Sequence, residues 1–190
     1  MVSFRFRHVC LEAFGVHLPE EEVSSASLED KIAPIYDRLK IPFGTLERLT
    51  GIKTRRFWDM DVRPSEVATV VARQVLDKIG FVREHIKALF NCSVTRDFFE
   101  PATAALVHRN LGLQEQSIVM DISNACMGFV NGIMVLGNLI ESGAVKAGVL
   151  VSGENVARMV DSSVGYILGK ENIDREELIK LLPTFTLGCA

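Results

Sequence analysis

The chain has 190 residues, 48% of them hydrophobic and 24% charged, with a formal net charge of −3. That length holds one domain with a sizeable core or half of a larger unit, and the composition excludes a disordered chain. The mildly acidic balance removes any general electrostatic case for nucleic acid or for an anionic membrane surface as a partner.

The opening "MVSFRFRHVCLEAFGVHLPEEEV" lacks the continuous apolar core of a signal peptide, so a cytoplasmic protein is expected. Within it, "SFRFRHVCLEAFGV" alternates apolar and polar residues and reads as a first strand. "SASLEDKIAPIYDRLK" follows with serine caps and helical spacing at Leu28, Ile32, Ile35, Tyr36 and Leu39. Pro34 fits there only within a first turn or at a kink. "SEVATVVARQVLDKIG" reads as a helix capped by Ser65 and stopped by Gly80, with Val67, Val70, Val71, Val75, Leu76 and Ile79 on one face.

"IKALFNCSV" then reads as a buried strand. "PATAALVHRNLG" reads as a short helix, with Pro101 in its first turn and Gly112 after its end. "SIVMDIS" is a strand, "CMGFVNGIMVLGNLIESG" a helix and "AGVLVSGE" another buried strand. "DSSVGYILGKENIDREELIKLL" breaks the rhythm with a charged middle and a short amphipathic end, and reads as an excursion before a last strand, "TFTLGCA". Strands alternating with helices predict an α/β fold with a mostly parallel sheet. A last strand that stops at Ala190 as it turns apolar predicts an incomplete fold, because its backbone edge needs a partner.

The helix over 126–142 is apolar on nearly every side, through Met127, Phe129, Val130, Ile133, Met134, Val135, Leu136, Leu139 and Ile140, which predicts burial all round. Its uncharged stretch from Ala125 to Ile140 falls short of the roughly 18–20 residues of a membrane span, so none is expected. Gly128, Gly132 and Gly137 each cost the helix about 1 kcal/mol relative to alanine, which close backbone packing ordinarily offsets.

The four cysteines, Cys10, Cys92, Cys126 and Cys189, are scattered. They form no C-x-x-C pair and no histidine stands at ligand spacing from them, so no metal site is expected. Without a secretory signal no disulfide is expected either. A cysteine in such a chain is ordinarily a small buried hydrophobe. Cys126 differs in place: it follows a strand directly and precedes a helix, where backbone N–H groups and the helix dipole favour a thiolate. Asn124 and Ala125 keep that turn small. The geometry is that of a strand–nucleophile–helix elbow, although position alone leaves core filler and nucleophile both open.

Several motifs together carry a resemblance. "DISNACMGFVNGI…LIESGAVKAGVLVSGE" and "LTGIKTRRFWD" resemble the thiolase superfamily, in particular its ketoacyl synthase III-like condensing enzymes. "YDRL", "GIKTRRFWDMDV", "SVTRDFFEPATAALV" and "NACMGFVNG" resemble the branch of acyl-CoA condensing enzymes of long-chain olefin biosynthesis. The similarity spans most of residues 25–190. It implies a thiolase-like fold with αβαβα layers, of which residues 1–190 would form the first, nucleophile-bearing half. The second half, which in the family supplies a histidine and an asparagine, would be absent from this chain. His8, His17, His85 and His108 match no catalytic motif of the family.

The same resemblance makes Cys126 the nucleophile that accepts an acyl group from acyl-CoA. It makes Glu100 in "RDFFEPAT" the general base that deprotonates a second acyl-CoA for a Claisen condensation to a β-keto product, acting in the partner subunit of a dimer. A carboxylate favoured near a helix dipole is the plain alternative for Glu100. Phe98 and Phe99 would line the site, while Gly128 and Phe129 would shape the turn and wall of an acyl pocket. The family tryptophan that stacks on CoA has no counterpart near Thr45. Arg55, Arg56 and Trp58 read equally well as a structural ion pair and a core aromatic. No cofactor is implied beyond CoA as part of the substrate. The expected partners are acyl-CoA and either a second copy or a second-half polypeptide. The alternatives are a non-catalytic or split subunit, a ketoacyl synthase III using a malonyl carrier protein, and a simple acyltransferase or thioesterase.

Overall fold

The computed structural model describes residues 5–189. In chain order its elements are β1 (Glu21–Ser24), α1 (Ser25–Lys31), α2 (Ala33–Arg38), α3 (Thr45–Thr50), β2 (Thr54–Phe57), α4 (Pro64–Ile79) and β3 (Ala88–Asn91). There follow α5 (Thr103–Leu111), β4 (Ile118–Asp121), α6 (Gly128–Glu141), β5 (Gly148–Val151), α7 (Ala157–Gly169) and α8 (Arg175–Leu181), with 3-10 turns at Arg83–His85 and Leu182–Thr186. Contacts divide the chain into two units, one of residues 5–17 and 62–154, the other of residues 18–61 and 155–189.

The first unit is the predicted α/β layer. Its sheet is parallel, in the order β4-β3-β5. β3 is central and every residue in it is buried, as "IKALFNCSV" predicts. β4 and β5 flank it, so they are half-buried: β4 alternates and only Val151 of β5 is fully enclosed. Ala68, Ala72, Leu76, Leu89, Val107 and Leu111 form the core where α4 and α5 pack on one side of the sheet. Phe90, Cys92 and Leu136 form a second core under α6. Gly80 and Gly112 end α4 and α5 in the left-handed region, at φ 63° and 66°.

Three glycines set how closely α6 approaches. A Cβ on Gly128 would lie 2.9 Å from the Cys92 carbonyl oxygen, and one on Gly132 would lie 2.5 Å from the Cys92 sulfur. One on Gly137 would lie 2.5 Å from the Phe6 ring. The compensation expected for these glycines is therefore present. The burial expected around the whole helix is not: Phe129, Val130, Ile133 and Val135 are exposed at 38–47%, and only Gly128, Gly132, Leu136 and Gly137 are buried. The glycines and Leu136 pack inward, while Phe129, Val130, Ile133 and Val135 stay exposed.

The second unit holds an antiparallel β1–β2 pair, which the sequence reading did not anticipate. Arg55 is buried and donates to the Val23 carbonyl and the Ser25 hydroxyl. Burial pulls its guanidinium below its ordinary value. Arg56 pairs with Glu22 and Trp58 packs half-buried against the core, so both take the structural reading. Leu28, Ile32, Leu46, Val160, Ile167, Leu178 and Phe185 form that core. The buried Glu29 carboxylate accepts the N–H groups of Gly44 at 2.7 Å and Leu46 at 2.6 Å. Burial and this neighbouring carboxylate push the Tyr36 hydroxyl well above its ordinary range.

Several local expectations need correction. The described part of "SFRFRHVCLEAFGV" forms no strand, and its first two residues lie outside the described residues. Among the described residues no strand pairs with it; instead the N–H groups of Arg7 and His8 donate to the Glu141 carboxylate. "TFTLGCA" forms a 3-10 turn and one strand-like bond, from the Cys189 N–H to the Arg56 carbonyl, and Ala190 lies outside the described residues. The helix at "SASLEDK" breaks at Ile32, and Pro34 enters the first turn of α2, as its chemistry requires. The excursion after Val156 is helical, as α7 and α8. Ser65 lies inside α4 rather than capping it, since Arg63 takes that position and Pro64 begins the helix. Pro101 precedes α5 across a cis peptide bond instead of sitting in its first turn.

Candidate active site

Cys126 sits in the turn between β4 and α6, in the first unit, and is exposed. The helix begins two residues later than expected, because two tight turns intervene. The Met127 N–H donates to the Asn124 carbonyl and the Gly128 N–H to the Ala125 carbonyl, both at 3.0 Å. Ala125 is left-handed at φ 45°, a conformation that costs a residue with a Cβ about 1–2 kcal/mol. Such strain persists only where the surroundings impose it. Here Asn124 Nδ2 donates to Asn131 Oδ1 at 2.7 Å, tying the turn to the first turns of α6. The turn that carries Cys126 is thereby anchored to α6, and the cysteine in it is exposed.

Beneath this turn Cys92 is the contrasting thiol. It is 4% exposed, and burial, with the Asp121 charge adding to it, pushes its pKa up to about 11. That thiol is held neutral and packed, which suits core filling.

Glu100 lies in the loop between β3 and α5, in the same unit, and is exposed beside Phe98 and Phe99. Phe99 is fully exposed and Phe98 lies under the Arg63 guanidinium, 5.3 Å from its ring centre. Among the described residues, neither the Cys126 thiol nor the Glu100 carboxylate has a hydrogen-bond or ion-pair partner. Both groups are open to a reactant, and they are not bonded to each other. Gly128 acts through its approach to Cys92, and Phe129 is half exposed next to the turn.

Three further carboxylates organise the site, and the sequence reading passed over them. Asp121, at the end of β4, accepts the N–H groups of Thr103 at 3.0 Å and Ala104 at 2.8 Å, capping α5, and also meets Asn91 Nδ2. Asp97 accepts the N–H and hydroxyl of Ser65 at the start of α4. Glu154, beyond β5, accepts the N–H groups of Val94 and Thr95 and the Thr95 hydroxyl. Asn91 and Ser93 bond to each other below them. The available signal was a polar residue at or just beyond each parallel strand's carboxyl end, where α/β sheets place their sites.

Among the described residues, no group of three metal-ligating side chains comes together, and no helix is long and apolar enough to cross a membrane. Residues 120–168 match the family model for 3-oxoacyl-[acyl-carrier-protein] synthase III. The chain is 35% identical over 167 residues to an acyl-CoA:acyl-CoA alkyltransferase of Xanthomonas campestris pv. campestris, covering 88% of this chain and 49% of the relative. It is 34% identical over 184 residues to the protein of that name in Shewanella oneidensis, covering 97% and 52%. The crystal structure of a 3-oxoacyl-(acyl carrier protein) synthase III from Xanthomonas oryzae pv. oryzae superimposes with a TM-score of 0.90 at 34% identity, over 97% of this chain and 54% of that one. The chain thus spans about half the length of the curated relatives it matches.

Proposed function

We propose that this relative of the ketoacyl synthase III-like condensing enzymes of the thiolase superfamily carries its chemistry on Cys126, as an acyl-accepting nucleophile. Its thiolase-like fold supplies the frame. In this reading the Cys126 sulfur attacks the carbonyl carbon of a fatty acyl-CoA, the bond to the CoA sulfur breaks, and CoA leaves as the thiol. The acyl group remains on Cys126 as a new thioester.

Glu100 then takes a proton from the carbon next to the carbonyl of a second acyl-CoA. The resulting carbanion attacks the Cys126 thioester, the Cys126 sulfur leaves, and a β-ketoacyl-CoA forms that hydrolyses to a β-keto acid. A base for this step needs hydrogen-bond reach to its proton, and the uncommitted, loop-borne Glu100 carboxylate suits that. As in the family, a histidine and an asparagine from a second half would complete the site. The acting unit would then be residues 1–190 as a nucleophile-bearing half, in a dimer or with a second-half polypeptide. Phe98, Phe99, Gly128 and Phe129 would border the acyl group. CoA enters only as part of the substrate.

The elbow carries this reading: a left-handed Ala125 presents an exposed cysteine between β4 and a glycine-packed helix. The test is intact-mass spectrometry after incubation with a long-chain acyl-CoA, on wild type and on Cys126→Ala. One acyl adduct that disappears in the variant is expected. No adduct, or an adduct that survives the substitution, would overturn the assignment.

A further inference from the structure

The segment from Ser93 to Ala104 is fastened at several points. Glu154 holds Val94 and Thr95 at its near end, with bonds of 2.6–2.9 Å. Asp97 binds Ser65 at 2.9 and 2.5 Å, and Arg63 covers Phe98. Asp121 binds Thr103 and Ala104 at the far end. Between these fastenings the exposed crest is Phe99 and Glu100.

The fastenings do different work. Asp97 and Asp121 bind the first turns of α4 and α5, so they support the fold as well as the loop. Among the described residues, the hydrogen bonds of the Glu154 carboxylate go to the loop alone. We propose that Glu154 is a positioning residue for Glu100, a role that rests on Glu100 being the base of the condensation. A carbon acid is weak, so its base gains little unless it is held at the right distance, and a shift of about 1 Å can cost a hundredfold in rate. Glu154 fixes where the loop leaves β3, and hence where its crest stands. Cys126 is held separately, by the Asn124–Asn131 bond and the end of β4. The Glu154 bonds therefore bear on proton removal by Glu100 and not on loading of Cys126.

The experiment follows two readouts in the full chain supplied with a saturated fatty acyl-CoA in D2O. Cys126 loading is read by intact mass, and exchange of the protons next to the thioester carbonyl is read by mass spectrometry of the recovered acyl-CoA. Glu154→Gln is expected to load within about twofold of wild type while exchange slows by about tenfold or more, with its pH profile displaced. Glu154→Asp is expected to recover most of the exchange. Wild-type exchange in Glu154→Gln, or loading and exchange falling together, overturns the positioning role. Exchange lost in Glu100→Gln but kept in Glu154→Gln removes this role alone. Exchange kept in Glu100→Gln, or absent from wild type, removes the reading of Glu100 as base and this role with it.

Discussion

The Asp121 carboxylate accepts the backbone N–H of Thr103 at 3.0 Å. One side chain therefore joins the strand that leads to Cys126 with the helix that follows the Glu100 loop. The second oxygen takes the Ala104 N–H and the Asn91 amide. The candidate nucleophile and the candidate base stand on a shared support, although they do not touch each other through a hydrogen bond.

Replacing Asp121 with alanine leaves the first N–H groups of α5 without their acceptor and removes one of the two acceptors of the buried Asn91 amide. A loss of about 2–3 kcal/mol is expected, from a helix cap and charge-assisted bonds lost together. Asp121→Asn keeps one acceptor oxygen and should lose less. Urea denaturation of the two variants beside wild type measures this, and equal loss in both would count against the capping role.

Gly128 and Gly132 should respond differently to alanine. The new methyl at 132 meets a side-chain sulfur, whereas that at 128 meets a carbonyl oxygen, both on Cys92. Each single substitution is expected to cost about 1–3 kcal/mol. Adding Cys92→Ala should relieve the clash at 132 and leave the cost at 128 intact, because backbone cannot be trimmed. A double-mutant cycle by chemical denaturation reads the difference.

Thiol labelling should separate the four cysteines. Cys126 and Cys10 are exposed, while Cys92 and Cys189 are buried. In the native chain only the exposed pair should alkylate, with Cys126 the faster. Cys92 and Cys189 should label only after denaturation. Cys92 also carries a stability signature. Its folded pKa of about 11 lies above its ordinary 9.0, so the fold keeps a proton that the unfolded chain releases first. Its contribution is whole below about pH 9 and is lost as pH climbs toward 11. Wild type should lose more stability than Cys92→Ala across that window.

The segment from residue 5 to 17 is tied at Glu141, whose carboxyl is held below its ordinary 4.5, chiefly by the His8 N–H and then by that of Arg7. A lowered carboxylate pKa stabilises above the ordinary value and is lost as pH falls through the folded one. The protection of the Arg7 and His8 amides, relative to their intrinsic exchange rates, should therefore fall once the solution is acidified below about pH 4.5. In Glu141→Gln that protection should already be weak at neutral pH.

What was legible in the sequence follows from what each element needs. β3 and β4 are apolar runs, α4 and α5 have helical spacing with glycine stops, and all four appear where that pattern puts them. The Cys126 elbow was legible because strand, small turn and helix adjoin without a gap. The β1–β2 pair was not, since "EEVS" and "TRRF" offer one apolar residue each, Val23 and Phe57, among polar residues held through Arg55, Arg56 and Glu22. The N-terminal alternation misled because a period of two makes a strand only beside a partner. For α7 the signal was present in Val160, Val164 and Ile167, at helical spacing, but serines and glycines obscured it. Asp97, Asp121 and Glu154 lay beyond any periodicity argument. Each is a single polar residue whose partners are far away in sequence.

The bulky residues on the outer side of α6 also set how the protein behaves in a tube. Phe129, Val130 and Ile133, at helical spacing on one side of α6, present an oily strip on a chain of small net charge. Concentration-dependent light scattering and uptake of an apolar dye will register that strip even when the fold is intact. Neither is then a measure of misfolding. Ile133→Lys, at an exposed position, should raise the solubility limit while leaving the melting temperature nearly unchanged.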